Sequence, residues 1–276
     1  MSGSDPKPGL WAHIKKSIFR HPYADTPRNR LLQITSNVFL HLHPARVRRH
    51  ALRLRFTWGM GGLSFLTFLV TVVTGVVLMF YYRPTAAHAY LDMLDLQHEI
   101  PFGMFQRNMH RWAAHAMVIL VWFHMLRVFL TGSYKKPREF NWGIGVILLT
   151  LTMFLSFTGY LLPWDQLAMW AVTVGTNMAA AAPFIGHEGP GAGLTGVDET
   201  NDLRALLLGG RNVGDPAILR FYVLHCVFLP LFMTALLAVH FWRVRKDGGI
   251  SGPDDGVDEV AEPAPTVADP GPEAAS

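Results

Sequence analysis

MHRWAAHAMVILVWFHMLR, residues 109–127, decides how the whole chain is read. The stretch is apolar enough to cross a membrane, yet it holds His110, His115 and His124. His110 and His124 are 14 residues apart. At 100° per residue they differ by about 40°, so they share a helix face about 21 Å apart along the axis. His115 lies about 140° round from His110 and cannot join them, so it reads as a packing histidine.

Outward from this stretch, charge-free runs recur. Phe56–Phe80, Trp112–Leu126, Trp142–Leu162 and Phe221–Trp242 contain no Asp, Glu, Lys or Arg. Three exceed the roughly 18 residues of a spanning helix. The second is bounded by Arg111 and Arg127, whose heads can snorkel to the interface. Half of the 276 residues are hydrophobic and 16% are charged, well below the usual quarter. The expectation is an all-α protein, a transmembrane four-helix bundle. The runs are continuous rather than alternating, which excludes a membrane barrel.

Charge orients the bundle. Eleven of the 24 Lys and Arg precede the first span. Arg127, Lys135, Lys136 and Arg138 fill the connection between spans two and three, and Arg243, Arg245 and Lys246 follow span four. The first connection instead carries Asp92, Asp95 and Glu99. The positive-inside rule puts both termini on the cytoplasmic (n) side of a bacterial-type inner membrane. The +4 net charge thus reflects topology and lipid headgroups and gives no support for nucleic-acid binding.

Three regions are expected. Residues 1–50 form a basic n-side segment, in which GLWAHIKKSIFRH reads as an amphipathic surface helix or a frayed tail. Residues 51–246 hold the spans, and 247–276 form a disordered Pro/Ala/acidic tail. The opening residues lack the compact apolar core of a cleavable signal. The long connection between spans three and four predicts small surface helices on the p side. Within it, HEGPGAGLTGVDETND (187–202) reads as a flexible insertion. Cys226, the lone cysteine, reads as a small packing residue.

The fourth span repeats the histidine pattern, with His225 and His240 15 residues apart. Spans two and four run the same way, so His110 faces His225 and His124 faces His240. Two imidazoles on opposite sides of one metal are the axial ligands of a six-coordinate haem. Zinc would need three or four ligands at one depth. Ordinary packing accounts for one buried histidine but poorly for two pairs at matched depths.

Glycines add a second signal. Gly61 and Gly75 in the first span, and Gly145 and Gly159 in the third, repeat the 14-residue period. A flat macrocycle between spans two and four needs glycine where its edges press on their neighbours. Arg107, Arg111, Arg127 and Arg243, each near a ligand histidine, can pair with anionic propionates or with lipid headgroups. Fifteen residues rotate a helix about 60°, against about −40° for 14. A kink or wide turn near Cys226–Pro230 is therefore expected to absorb the extra residue.

The segments YYRPT, HRWAAHAMVILVWFHMLRVFLTGSYKKPREFNWGIGVILL, FTGYLLPWDQ, VGTN and LRFYVLH resemble the N-terminal half of cytochrome b from quinol:cytochrome c (bc-type) complexes. The likeness covers roughly residues 30–253 and is strongest to the split, cytochrome b6-like form. It implies two non-covalent haems b, between the second and fourth helices. His110 and His225 would hold the p-side, lower-potential haem, and His124 and His240 the n-side, higher-potential one. Arg107, Arg111, Arg127 and Ser133 would contact propionates. Phe157, Tyr160 and Trp170 would line part of the p-side quinol pocket, and Arg245 and Lys246 would lie near the n-side quinone site.

The implied activity is a Q-cycle, with quinol oxidised on the p side and quinone reduced on the n side. The implied partners are a Rieske iron–sulfur protein, a c-type cytochrome, lipid and a second cytochrome b subunit, in a homodimeric complex. That second subunit would bring the proton-accepting acid of a PEWY-type segment, leaving no catalytic residue on this chain. Three departures matter. Thr71 stands where the family usually has glutamine, and the 187–202 insertion is extra. Gly59 occupies the position of the cysteine that carries a covalent c-type haem in many split forms, so no covalent haem is expected. A dihaem anchor of a dehydrogenase or hydrogenase is the alternative, but it should lack the glycine pairs and the GYLLPW and KKPRE segments. A non-redox scaffold with packing histidines is a third reading.

Overall fold

The computed structural model describes residues 9–11, 26–36, 54–210, 212–247 and 249–250. Every regular element among them is helical. In order they are α1 (Pro27–Ser36), α2 (Leu54–Thr57), α3 (Met60–Met79), α4 (Ala89–His98), α5 (Gly103–Leu130), α6 (Glu139–Leu161), α7 (Gln166–Ala180), α8 (Ala192–Thr195), α9 (Leu203–Leu208), α10 (Asp215–Val223), a π-turn (Leu224–Phe228) and α11 (Leu229–Lys246). Most of the 9–21 segment and the 251–276 tail lie outside the described residues.

Four helical runs are long and apolar enough to cross a membrane: α3, α5, α6 and the continuous Asp215–Lys246 rod, of 20, 28, 23 and 32 residues. At 1.5 Å per residue even the shortest covers the ~30 Å apolar core. The chain is an integral membrane protein, and its spans match the four charge-free runs. The second is longer than its charge-free stretch, because α5 continues through Arg107, Arg111 and Arg127.

Local chemistry sets the helix ends. Gly59 enters α3 with φ +64°, a conformation that favours glycine. Glu139 lies in the first turn of α6, where the helix dipole favours a negative charge. Asp165 caps α7, its carboxylate accepting the Ala168 N–H at 2.8 Å. Threonine hydroxyls inside the spans bond back one turn, as Thr152 does to the Leu148 carbonyl at 2.9 Å, which meets those donors away from water.

α3 packs along α5, and α11 along α6. Phe68, Met117, Leu148, Leu151, Leu229 and Met233 fill the interior between the two histidine depths. A second core lies under the surface helices at the His110/His225 end of the bundle, called the p-side end after its expected orientation, where Tyr82, Trp164, Val172, Leu208 and Ile218 meet. Tyr82 donates its hydroxyl to the Leu162 carbonyl at 2.6 Å, and burial pushes that phenol's pKa up. Arg83 grips the buried Asp92, with a backbone N–H bond of 2.7 Å and an Nε bond of 3.1 Å. Together these fix the YYRP turn over the p-side end of the bundle.

The 187–202 insertion departs from expectation: it is closed rather than loose. His187 Nδ1 stands 2.6 Å from Asp202 Oδ2, joining its first and last residues. Asp202 also caps α9 by accepting the Ala205 N–H at 2.7 Å. Leu203 N–H donates to the Ile185 carbonyl at 2.9 Å just outside the clasp. The sequence suggests looseness because five glycines and prolines crowd the segment. Its two end residues, far apart in sequence, supply the bond that overrides this. The Asp202 carboxylate holds the His187 imidazole above the usual histidine range. Burial raises the Asp202 carboxyl, but the Ala205 and His187 bonds outweigh it and leave that group below the usual range.

Candidate functional site: two facing histidine pairs

The rods α5 and α10–α11 bring their histidines together as the spacing predicts. The His110 and His225 ring centroids are 6.2 Å apart, with planes at 77°. Those of His124 and His240 are 6.5 Å apart at 81°. Two imidazoles bound at about 2 Å on either side of one metal put their centroids roughly 6 Å apart. His115 stays out of both pairs; it is exposed, edge-on to Trp112 at 5.5 Å.

The equal depth of the pairs depends on the π-turn at Leu224–Phe228, which contains His225. It lets 15 residues of the fourth span advance through about the angle that 14 cover in α5. Pro230 follows in the first turn of α11, where its missing N–H costs no helical bond. The expected wide turn is present, and it begins two residues earlier than Cys226.

Glycines bracket both pairs. A Cβ placed on Gly75 would stand 3.1 Å from His110 Cε1, and one on Gly61 3.2 Å from His124 Cε1. On Gly159 it would stand 2.5 Å from His225 Cε1, and on Gly145 3.3 Å from Met125 Sδ. Side chains on α3 or α6 here would fill the space beside the rings.

Each pair opens onto its own half-open cavity. The p-side cavity is largely apolar, walled by Thr71, Gly75, Ala114, Leu155, Ser156 and Cys226 around His110 and His225. The n-side cavity contains Arg127, Ser133, Arg138, Asn141 and Gly145 around His124 and His240. Arg127 and Ser133, named from the sequence, thus line this cavity. Arg107 and Arg111 do not line the p-side cavity. Thr71 does, but its hydroxyl is spent on the Phe68 carbonyl at 2.8 Å.

The remaining residues named from the sequence lie outside both cavities. Phe157 packs over Gly175 of α7, while Tyr160 and Trp170 are exposed. Arg245 and Lys246 occupy the last turn of α11, with Lys246 Nζ 5.0 Å from the Trp242 ring centre.

Four polar residues escaped the sequence reading. Thr74 Oγ1 lies 2.9 Å from His110 Nδ1, and Thr158 Oγ1 lies 3.1 Å from His225 Nδ1. Each threonine directly precedes one of the p-side glycines, and that repeated Thr-Gly pair was the available signal. Arg138 and the buried Asn141 enter the n-side cavity from the start of α6. Asn141 is one turn before Gly145 on the same face, which the helical period alone could have shown.

The donor set fits haem better than a clustered metal. Among the described residues no three His, Cys, Asp or Glu side chains converge to hold an ion. The histidines stand in opposed pairs, glycines clear the space beside them, and Arg127 in the n-side cavity has a buried Nε with no hydrogen-bond partner among the described residues. Such a group calls for an anion, as haem propionates are.

Comparison with known proteins agrees. The family model described as Cytochrome b/b6/petB matches residues 48–248. Cytochrome b6 of Auxenochlorella protothecoides is 43% identical over 193 residues, covering 70% of this chain and 83% of its own length. Cytochrome b6 of Heliobacterium mobile is 41% identical over 211 residues, covering 76% and 90%. A solved chain of a hyperthermophilic respiratory complex III superposes with a TM-score of 0.67 at 29% identity. That match takes in 87% of this chain and 58% of the other. With the opposed histidines and this breadth of likeness, the chain belongs to the cytochrome b family, whose members carry b-type haem, and is a cytochrome b subunit of a quinol-oxidising electron-transfer complex.

Proposed function

We propose that this chain is the dihaem subunit of a quinol:cytochrome c, or quinol:other-acceptor, oxidoreductase working by a Q-cycle. The observation that carries the reading is the pair of facing histidine couples, 6.2 and 6.5 Å between ring centres, at two depths of one bundle. His110 and His225 hold one haem b near the p side, and His124 and His240 a second near the n side. Bound there, haem supplies a reversible one-electron iron couple that no side chain offers.

The chain's own groups do the rest. Gly61, Gly75, Gly145 and Gly159 leave room for the macrocycle edges. Arg127 and Ser133 take n-side propionates, and Arg107 and Arg111, in the first turns of α5, are the basic groups offered to the p-side ones. Leu148, Leu151, Met117 and Met233 keep water out of the layer between the two depths. Phe157, Tyr160 and Trp170 form one wall of the quinol pocket, and Arg245 and Lys246 attract quinone and protons on the n side. One electron of each quinol leaves to a Rieske iron–sulfur protein and on to a c-type cytochrome. The other crosses the bilayer to the n-side quinone.

Quinol oxidation also needs a base within hydrogen-bond reach. Asp165 is committed to capping α7. A second cytochrome b subunit supplies the acid, within a complex that is a homodimer in a bacterial-type inner membrane, with both termini of this chain on the cytoplasmic side.

The test is a reduced-minus-oxidised spectrum of the purified 276-residue chain. A b-type α band that titrates in two steps is expected, with no quinol:cytochrome c turnover until partner subunits are added. Absence of the band would refute the haem assignment. Inhibitor-sensitive turnover by this chain alone would refute the two-subunit pocket.

A further inference from the structure

The two histidine pairs differ in what holds their outer nitrogens. On the p side, His110 Nδ1 meets Thr74 Oγ1 at 2.9 Å, and His225 Nδ1 meets Thr158 Oγ1 at 3.1 Å. Each hydroxyl proton is already committed. Thr74 donates to the Val70 carbonyl at 2.6 Å, and Thr158 to the Phe154 carbonyl at 2.8 Å. With those protons so directed, both threonine oxygens accept from the imidazole Nδ1–H, the arrangement that ligation of a metal through Nε2 requires. Thr74 and Thr158 are 7% and 4% exposed, so water does not compete for these bonds. On the n side, His124 Nδ1 and His240 Nδ1 are buried with no hydrogen-bond partner among the described residues.

We infer that Thr74 and Thr158 are positioning residues that orient the p-side imidazoles and set the p-side haem potential below the n-side one. An Nδ1–H bond to an acceptor raises the basicity of the opposite ring nitrogen. A more basic axial donor stabilises ferric over ferrous iron and so lowers the reduction potential. The p-side ligands have this push from both faces, and the n-side ligands have it from neither. An electron on the p side is thus driven toward the n side by threonine hydrogen bonds to the imidazoles that are present at one depth and missing at the other. The inference rests on the histidine ligation proposed above.

The experiment is a potentiometric titration of the assembled complex in membranes, read at the b-haem α band. The variants are Thr74→Val, Thr158→Val, the double variant, and Thr74→Ser and Thr158→Ser. Thr152→Val is the control, because Thr152 is buried on α6 with the same backward bond to a carbonyl but no histidine partner. Each single valine is expected to raise the ferrous-to-ferric ratio of the p-side haem about threefold at fixed potential. The double variant should raise it about tenfold, ~59 mV for a one-electron couple. The n-side wave should not move, serine should restore the parent value, and Thr152→Val should be silent. An unmoved p-side wave in either single valine variant with full haem content would overturn the inference, as would an equal shift in Thr152→Val. If the double variant loses haem, the single variants still decide, since each keeps one bond. Failure of the ligation itself reads differently: His225→Ala would then leave the p-side wave in place.

Discussion

At the scale of single residues, the four histidines divide into two independent pairs. His225→Ala should remove the p-side haem and leave the n-side one largely intact, and His124→Ala should do the reverse. His115→Ala, lying outside both pairs, should leave haem content unchanged. Pyridine haemochrome assays on the purified variants check all three, and full haem content in the first two would break the pairing. Gly159→Val is a harsher test of fit, because even a first carbon there reaches 2.5 Å from the His225 ring. Overpacking of this kind costs about 1–3 kcal/mol, and the expected reading is loss of the p-side wave in a redox titration. The facing histidines and the glycines were legible in the sequence because they recur at the helical period. Thr74 and Thr158 left only the repeated Thr-Gly pair as a signal, since a threonine in an apolar helix is ordinarily satisfied by its own backbone and only the fold shows the second bond.

Among the elements, the π-turn converts a 15-residue spacing into the phase of 14. Deleting Val227 together with Pro230→Ala should turn the fourth span into a continuous α-helix with its histidines 14 apart, as in α5. Both haems are expected to stay. Inserting one alanine between Leu236 and Leu237 should instead rotate His240 by about 100° and lose the n-side haem alone. Haem counts with assigned potentials distinguish these outcomes, and loss of either haem in the deletion variant would refute the phase argument. The conflict between the two spacings was visible in the sequence, so the irregularity could be anticipated, but not which residues would widen. The clasp on the p-side insertion was invisible, because His187 and Asp202 gain meaning only when the chain returns on itself. That clasp predicts a pH profile. The raised His187 adds stability that is complete below the ordinary histidine value of about 6.5 and fades as pH rises through its folded value. The lowered Asp202 adds stability above about pH 4 and loses it as pH falls through its folded value. Protection of the Leu203 and Ala205 amides, relative to their intrinsic exchange rates, should be greatest between these limits, and His187→Gln should flatten the alkaline arm. An unchanged profile in that variant would exclude His187 as its source.

The molecule as a whole is a charged-ended rod bundle whose orientation follows from where its arginines lie. In a Cys226→Ala parent, a cysteine at Thr200 should react with an impermeant maleimide added to intact cells, and one at Lys135 only after the inner face is opened. The opposite pattern would invert the topology. Overall architecture was legible because lipid demands long uncharged helices, and the positive-inside asymmetry is strong. What sequence left open is how the n-side cavity is walled. Arg138 and Asn141 reach it from the start of α6, next to a loop whose course depends on the packing of the finished bundle. The clasped insertion has one more consequence. Its ends meet at the His187–Asp202 pair and at Leu203 N–H on the Ile185 carbonyl, 2.9 Å, while Glu188 N–H on the Ala180 carbonyl at 3.0 Å seats the loop on the end of α7. The exposed stretch around Asp198–Thr200 is therefore anchored at its base and free at its tip, and an affinity handle or fluorophore grafted there should leave the four spans in place.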